Sequence, residues 1–371
     1  ADEISQMCEL LDDALAAGAM GLSSNYLDWD KHDRPLPSQL ADDAEFDALL
    51  AVLARYPSAT FQVIVDYFMR MSGNDSVERM ARLSKKAGVR MQWAGLPTLK
   101  FQEGMVAKAT ELHEQFKAEG ADIYTAFNVL SPTSVINFGR SLVFAQNGNP
   151  VWQELVNAEP WAAKKALLED PKWLARARDG WDNTYSHSYF HDATALLLRE
   201  SESGYGPVGV TLADYMAETG IEHMSDALAK WVLNNGAESV ILKRMMEKLE
   251  PVLEYLLNDP NSLGNVSDAG AHGKMFCGAG YTAWLLTDYV RDRKIISIEQ
   301  AVHMLTGRLA DFFGLNDRGH LQVGKAADIT VFNLDEIEMR PEKKTWDVWD
   351  GTGGRTYRYT RDPAPMRLTL V

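Results

Sequence analysis

Through the first 130 residues, short apolar runs alternate with stretches of helical hydrophobic period. Ile4, Met7, Leu10, Leu11 and Leu15 recur at nearly 3.6-residue spacing, which predicts a helix over Asp2–Ala17. Met20–Ser24 then reads as a buried strand. The same helix-then-strand order returns in Asp42–Tyr56 with Thr60–Asp66, in Ser76–Ala87 with Arg90–Gly95, and in Met105–Glu119 with Asp122–Val129. Strands separated by helices of this length predict a parallel α/β sheet or barrel. Residues 131–206 break the alternation. They are rich in Trp, Phe and Asn and include Trp152, Trp161, Trp173 and Trp181. Such an insertion forms either a lid over a substrate pocket or a helical unit packed on itself. Beyond it the pattern predicts helices at Met224–Asn234 and, as one long stretch, Ala237–Leu257, then a strand at Leu263–Asp268. Helices follow at Ser297–Leu305 and Arg308–Phe313, and the chain is β-rich from Gly319 onward.

The last of these strands carries the strongest chemical signal. Leu263-Gly264-Asn265-Val266-Ser267-Asp268 ends in a hydroxyl and a carboxylate, small residues follow, and His272 comes four residues after Asp268. A parallel barrel delivers ionisable groups to its C-terminal mouth in this way. The carboxylate could move a proton or hold a metal ion; alternatively, Asp268 merely caps a turn. By position at strand ends, Asp66, Gln92 and Asn128 are candidates for lining the same mouth, with Ser267 and Gly270 in the loop itself. His187 and His191 have i, i+4 spacing but no intervening glutamate, so the metal signal there is weak. His113 and the other isolated histidines receive no chemistry.

Composition narrows the classes. The 371 residues carry 37 basic and 52 acidic side chains, a formal charge of −15. That balance argues against a nucleic-acid partner. No apolar run is long enough to span a membrane. Two cysteines, Cys8 and Cys277, make no disulfide framework and point to a reducing, cytoplasmic location.

Two segments together carry a resemblance to a known family. One is Ser267-Asp268-Ala269-Gly270-Ala271-His272. The other is Gly319-His320-Leu321-Gln322-Val323-Gly324-Lys325-Ala326-Ala327-Asp328-Ile329-Thr330-Val331-Phe332. The chain resembles the C-terminal part of the amidohydrolase superfamily, and Ala17-Gly18-Ala19-Met20-Gly21-Leu22-Ser23-Ser24 is similar to a strand of its N-acyl-D-amino-acid deacylase (D-aminoacylase) branch. The resemblance implies a (β/α)8 TIM-like barrel with a small β-sandwich: a partial barrel over 1–314, with 131–206 as insertion, and sandwich over 315–371. It also implies a metal-dependent deacylase of N-acyl amino acids using zinc, with Asp268 as general acid/base and metal ligand. His272 would hold the substrate carboxylate or the oxyanion, and a homo-oligomer is expected. A cyclic amide or carbamoyl substrate is the alternative, as is a non-catalytic member of the fold.

The sequence also departs from that pattern. The family's first strand carries a His-x-His metal pair, and none of the eight histidines here forms one. The strand ends that carry metal-binding histidines in the deacylase branch read Val65-Asp66-Tyr67 and Gln92-Trp93-Ala94 instead. Five barrel strands are visible where eight are needed. The expectation is that the His-x-His ligands and the missing strands belong to an N-terminal segment of the same enzyme or to a second chain. Lys274 and Arg140 are candidates for gripping a substrate carboxylate.

Overall fold

The computed structural model describes residues 2–30, 34–67, 72–130, 133–139, 141, 143–146, 148–184, 191–243, 247–265, 267, 269 and 273–371. Its central element is a five-stranded sheet. The strands are β1 (Gly21–Asn25), β2 (Thr60–Ile64), β3 (Arg90–Ala94), β4 (Ile123–Phe127) and, after the insertion, β9 (Ser262–Asn265). Their order is β1-β2-β3-β4-β9 and every neighbouring pair is parallel.

The register explains the two faces. Leu22, Phe61, Met91 and Ile123 align across the sheet, and so do Ser24, Val63, Trp93 and Thr125. This face is sealed: Phe61, Val63, Met91, Trp93 and Ile123 are all at most 1% exposed. Helices Asp43–Leu53, Gly73–Ala87 and Glu103–Ala118 supply its cover, with Leu50, Val77, Met80, Val106 and Ala109 in one hydrophobic core. Each large side chain buried there contributes roughly 1.5–3 kcal/mol. Gly88, in the left-handed region at φ 71°, ends the Gly73–Ala87 helix so that the chain can turn into β3. The opposite face carries the polar row Ser23, Gln62, Gln92 and Tyr124.

The excursion after β4 has its own core and its own sheet. β5 (Ser134–Ile136), β6 (Leu196–Glu200), β7 (Val210–Thr211) and β8 (Val240–Lys243) form an antiparallel sheet in the order β5-β8-β6-β7. Trp152, Trp173, Trp181 and Trp231, each at most 1% exposed, pack with Phe138 and Phe144 against it. The aromatic stretch is therefore a self-packed unit, and its core extends past residue 206 to Ile241. The helix expected over Ala237–Leu257 is instead strand β8, a return segment, and the helix Glu250–Asn258. Val240 and Ile241 suit a strand, and Pro251 is at home only in a helix's first turn. Beyond Gly319 come two antiparallel pairs: β10 (Ile329–Val331) with β13 (Leu368–Leu370), and β11 (Glu342–Trp349) with β12 (Arg355–Arg361).

Candidate active site at the C-terminal edge of the sheet

All five strands end on the same edge, which brings their following residues together. Asp66, two residues past β2, is 1% exposed. Asn128 directly follows β4, and Ser267 stands two residues past β9. The side-chain alternation of β4 puts Asn128 on the face that carries Gln92, and the alternation of β2 does the same for Asp66. Gln92 sits lower, in mid-strand, level with Gln62 and Tyr124. Asp268, Gly270 and His272 lie outside the described residues.

The flanks of that loop are described, and they are tightly built. The Ser267 hydroxyl accepts the Ala269 amide at 3.2 Å, a local turn. A Cβ on Gly278 would stand 1.7 Å from the Ser267 carbonyl oxygen, so only glycine lets the chain double back there. The Tyr359 amide donates to the Gly273 carbonyl at 2.7 Å, laying the loop along β12. Arg361 adds two bonds, from Nη1 to the carbonyls of Cys277 and Ala279, both 3.0 Å. Cys277 is buried filler. A cleft of about 470 Å³ separates loop and hairpin, with Ala269, Phe276, Arg358 and Arg361 on its walls.

One residue that sequence reasoning missed belongs to this edge. Lys248 Nζ donates to Thr98 Oγ1 and to the Asn128 carbonyl, both at 2.8 Å. Burial pushes its ammonium down to about 7. A lysine within a run of charged residues carries no sequence signal of burial. Of the two cations singled out from sequence, Lys274 lies over the Tyr357 ring, 4.9 Å from its centroid, and Arg140 is outside the described residues. His187 is also outside them, and His191 is exposed.

His113, assigned no chemistry from sequence, is wholly buried. With Glu114 and Asp259 it makes the one cluster among the described residues that could supply three acidic or imidazole ligands. It does not suit a cation, because the Lys117 ammonium already sits 2.7 Å from Asp259 Oδ1. Asp259 also precedes β9, at the end of the strand away from Ser267. At the C-terminal edge, Asp66 is a buried oxygen donor suited to a hard or borderline divalent ion. Gln92 is a weak donor in mid-strand, and Trp93 faces the helices. Among the described residues no helix is long and apolar enough to cross a membrane.

Comparison with known proteins agrees with this layout. Residues 211–360 match the model described as "Amidohydrolase family". An uncharacterized protein of Mycobacterium tuberculosis is 27% identical over 397 residues, covering all of this chain and 62% of that protein. The N-acyl-D-glutamate deacylase of Alcaligenes xylosoxydans xylosoxydans is 25% identical over 203 residues, 51% of this chain and 38% of that protein. Among solved structures, the N-acyl-D-glutamate deacylase of Bordetella bronchiseptica, complexed with zinc and a phosphonate inhibitor, superposes with a TM-score of 0.52. It is 18% identical and covers 89% of this chain and 56% of that one. The chain thus spans about three fifths of the length of these full-length matches. The chain is therefore similar to amidohydrolases over residues 211–360, and its fold resembles that of an N-acyl-D-glutamate deacylase.

Proposed function

We propose that this protein is a metal-dependent hydrolase that cleaves the amide bond of an N-acyl amino acid, with its chemistry at the C-terminal edge of the parallel sheet. The observation that carries the reading is the convergence there of buried Asp66, Asn128 and the loop that opens at Ser267. The family match from residue 211 to 360 spans that loop. The match to a named N-acyl-D-glutamate deacylase supports the substrate class.

In this reading residues 1–314 belong to a (β/α)8 barrel and 315–371 to a β-sandwich. Among the described residues β1 and β9 each pair on one side only, which leaves two edges of unpaired backbone groups. Further polypeptide, from the same enzyme or a second chain, would complete the sheet and bring the remaining metal ligands.

Zinc bound at this edge supplies a polarised carbonyl and a more acidic water. Asp66 and Asp268 are the two carboxylates that this chain would offer to hold it. Asp268 takes the proton from the attacking water and returns it to the leaving nitrogen, so that the amine departs neutral. His272 donates to the oxyanion or the substrate carboxylate. Ser267 and Gly270 shape the loop, while Asn128 and Gln92 present amides to the substrate.

The strand ends without histidine favour a second reading, a metal-poor, non-catalytic member of the fold. Elemental analysis of the purified protein, with hydrolysis of N-acetyl-D-glutamate before and after chelation, separates the two. The hydrolase reading requires stoichiometric metal and loss of turnover on its removal. Less than ~0.2 metal per chain, with no activity on adding zinc, would sink it.

A further inference from the structure

The loop that opens at Ser267 is held between two units far apart along the chain. On one side, the Val135 amide of β5 donates to the Met275 carbonyl. On the other, the Tyr359 amide of β12 donates to the Gly273 carbonyl. Val135, Val240, Cys277, Tyr357 and Tyr359 close this three-way contact as one small buried cluster. Inserted sheet, loop and hairpin therefore share a core besides the one that the insertion keeps to itself.

Charged side chains also span directly from the inserted sheet to the hairpin. β6 shifts register against β8 between Leu198 and Glu200, which makes Arg199 an extra residue. Regular alternation would send Arg199 and Glu200 to opposite faces, but the bulge lets both reach the hairpin. Arg199 Nη1 lies 2.8 Å from Glu342 Oε1, and Lys344 pairs with Glu200. Glu342 stands opposite Arg361 and Lys344 opposite Tyr359, so all four share one face of the β11–β12 pair. Arg199 and Glu342 are only 25% and 18% exposed, so their pair is better shielded than a surface bridge.

Each bridge leads on to a residue that grips the loop. The Arg199 guanidinium lies 5.4 Å from the ring centroid of Tyr359, whose amide holds Gly273. Glu342 is 3.8 Å from Arg361, whose Nη1 holds the carbonyls of Cys277 and Ala279. Glu342 thus stands between a cation from the inserted sheet and the cation that fastens the loop.

We infer that the Arg199–Glu342 bridge is a positioning device for the reaction: it draws inserted sheet and hairpin together around residues 273–279 and so fixes the loop on which Asp268 and His272 stand in the sequence. Arg199 and Glu342 act through Tyr359, Arg361 and the loop backbone. The inference rests on the hydrolase reading for the reaction, but the clamp itself can be measured without turnover.

The experiment pairs steady-state hydrolysis of N-acetyl-D-glutamate with hydrogen exchange by mass spectrometry, both well below the unfolding midpoint. Arg199→Met and Glu342→Gln each remove the bridge. In both, residues 133–136, 273–279 and 355–361 should exchange roughly 10-fold faster, with the tryptophan-rich core unchanged. The same variants should lose roughly 10-fold in kcat, less than the 10²-fold that about 1 Å of misplacement costs. The double variant should be no slower than either single, because both break one contact. Arg199→Lys keeps the charge and should recover most of the rate. Arg178→Met, which breaks a pair with Asp226 inside the insertion, should leave both readouts at wild type. Wild-type exchange at 273–279 in a folded Arg199→Met or Glu342→Gln variant overturns the inference. So does a wild-type kcat in a variant whose loop exchanges faster. If one of the two does not fold, the other carries the test. A wild type without turnover removes the hydrolase reading alone; exchange at 273–279 then decides the clamp, which stands if the variants exchange faster and falls if they do not.

Discussion

His113 Nε2 lies 2.9 Å from Asp259 Oδ2, with both side chains sealed from solvent. Trp93 Nε1 donates to the other ring nitrogen at 3.4 Å, so Nε2 carries the proton and donates to the carboxylate. The Lys117 ammonium and the Asn261 amide complete the shell of Asp259, at 2.7 and 3.1 Å. The network ties helix Glu103–Ala118 to the turn that opens β9, and so helps fix where β9 begins and the loop at Ser267 ends up.

Burial raises the Asp259 pKa, but the hydrogen bonds from His113, Lys117 and the Asn261 amide outweigh it and bring the group down to about 2. A carboxyl whose folded pKa is depressed contributes stability above its unfolded value near 3.8, and that stability is lost as pH falls toward 2. Asp259→Asn should therefore cost about 3 kcal/mol at neutral pH, because it leaves the Lys117 charge without its inner partner. The gap between variant and wild type should close between pH 4 and 2. Urea unfolding across that range checks it; a neutral-pH midpoint equal to wild type would show the network to be dispensable.

Lysines predict the opposite end of the pH scale. Burial pushes both Lys243 and Lys248 down to about 7. Between pH 7 and about 10 the unfolded chain binds more protons than the folded one, so folding stability from these groups rises with pH. Replacing Lys248 by Met should flatten that rise and raise stability most at or below pH 7. A variant whose stability keeps the wild-type slope would mean that Lys248 is solvated when folded.

The parallel sheet was legible from sequence because each strand is a short apolar run between helices with clear hydrophobic period. The runs near Leu22, Val63, Met91, Thr125 and Leu263 all lie in one sheet. Asp66 and Asn128 were legible by the same logic, since residues just past parallel strands must meet at one edge. Lys248 and the His113–Asp259 pair were not. Their burial depends on partners 120 and 146 residues distant, Asn128 and Asp259. β8 was misread because Val240–Lys243 is too short to override the helical pattern that follows it. Only its pairing with β5 and β6 selects the strand.

Gly278 offers a test of the loop without touching a polar group. Any side chain there collides with the Ser267 carbonyl oxygen, 1.7 Å from the position of a Cβ. Gly278→Ala must displace the chain around Ser267. The expected result is a loss of roughly 10²-fold in kcat/KM, the cost of about 1 Å of misplacement. Stability should fall by about 1–3 kcal/mol. Wild-type kinetics in a folded Gly278→Ala variant would detach this loop from the reaction.

The central claim is that Asp268 moves the proton during amide cleavage, and Asp268→Asn tests it most directly. Asparagine is nearly isosteric and preserves hydrogen bonding, so circular dichroism and the unfolding midpoint should match wild type. With N-acetyl-D-glutamate as substrate, kcat should fall by roughly 10²–10⁴-fold while KM changes little, because the missing interaction belongs to the transition state. His272→Asn should instead raise KM or lower both constants. A folded Asp268→Asn protein that turns over substrate at the wild-type rate would contradict the account.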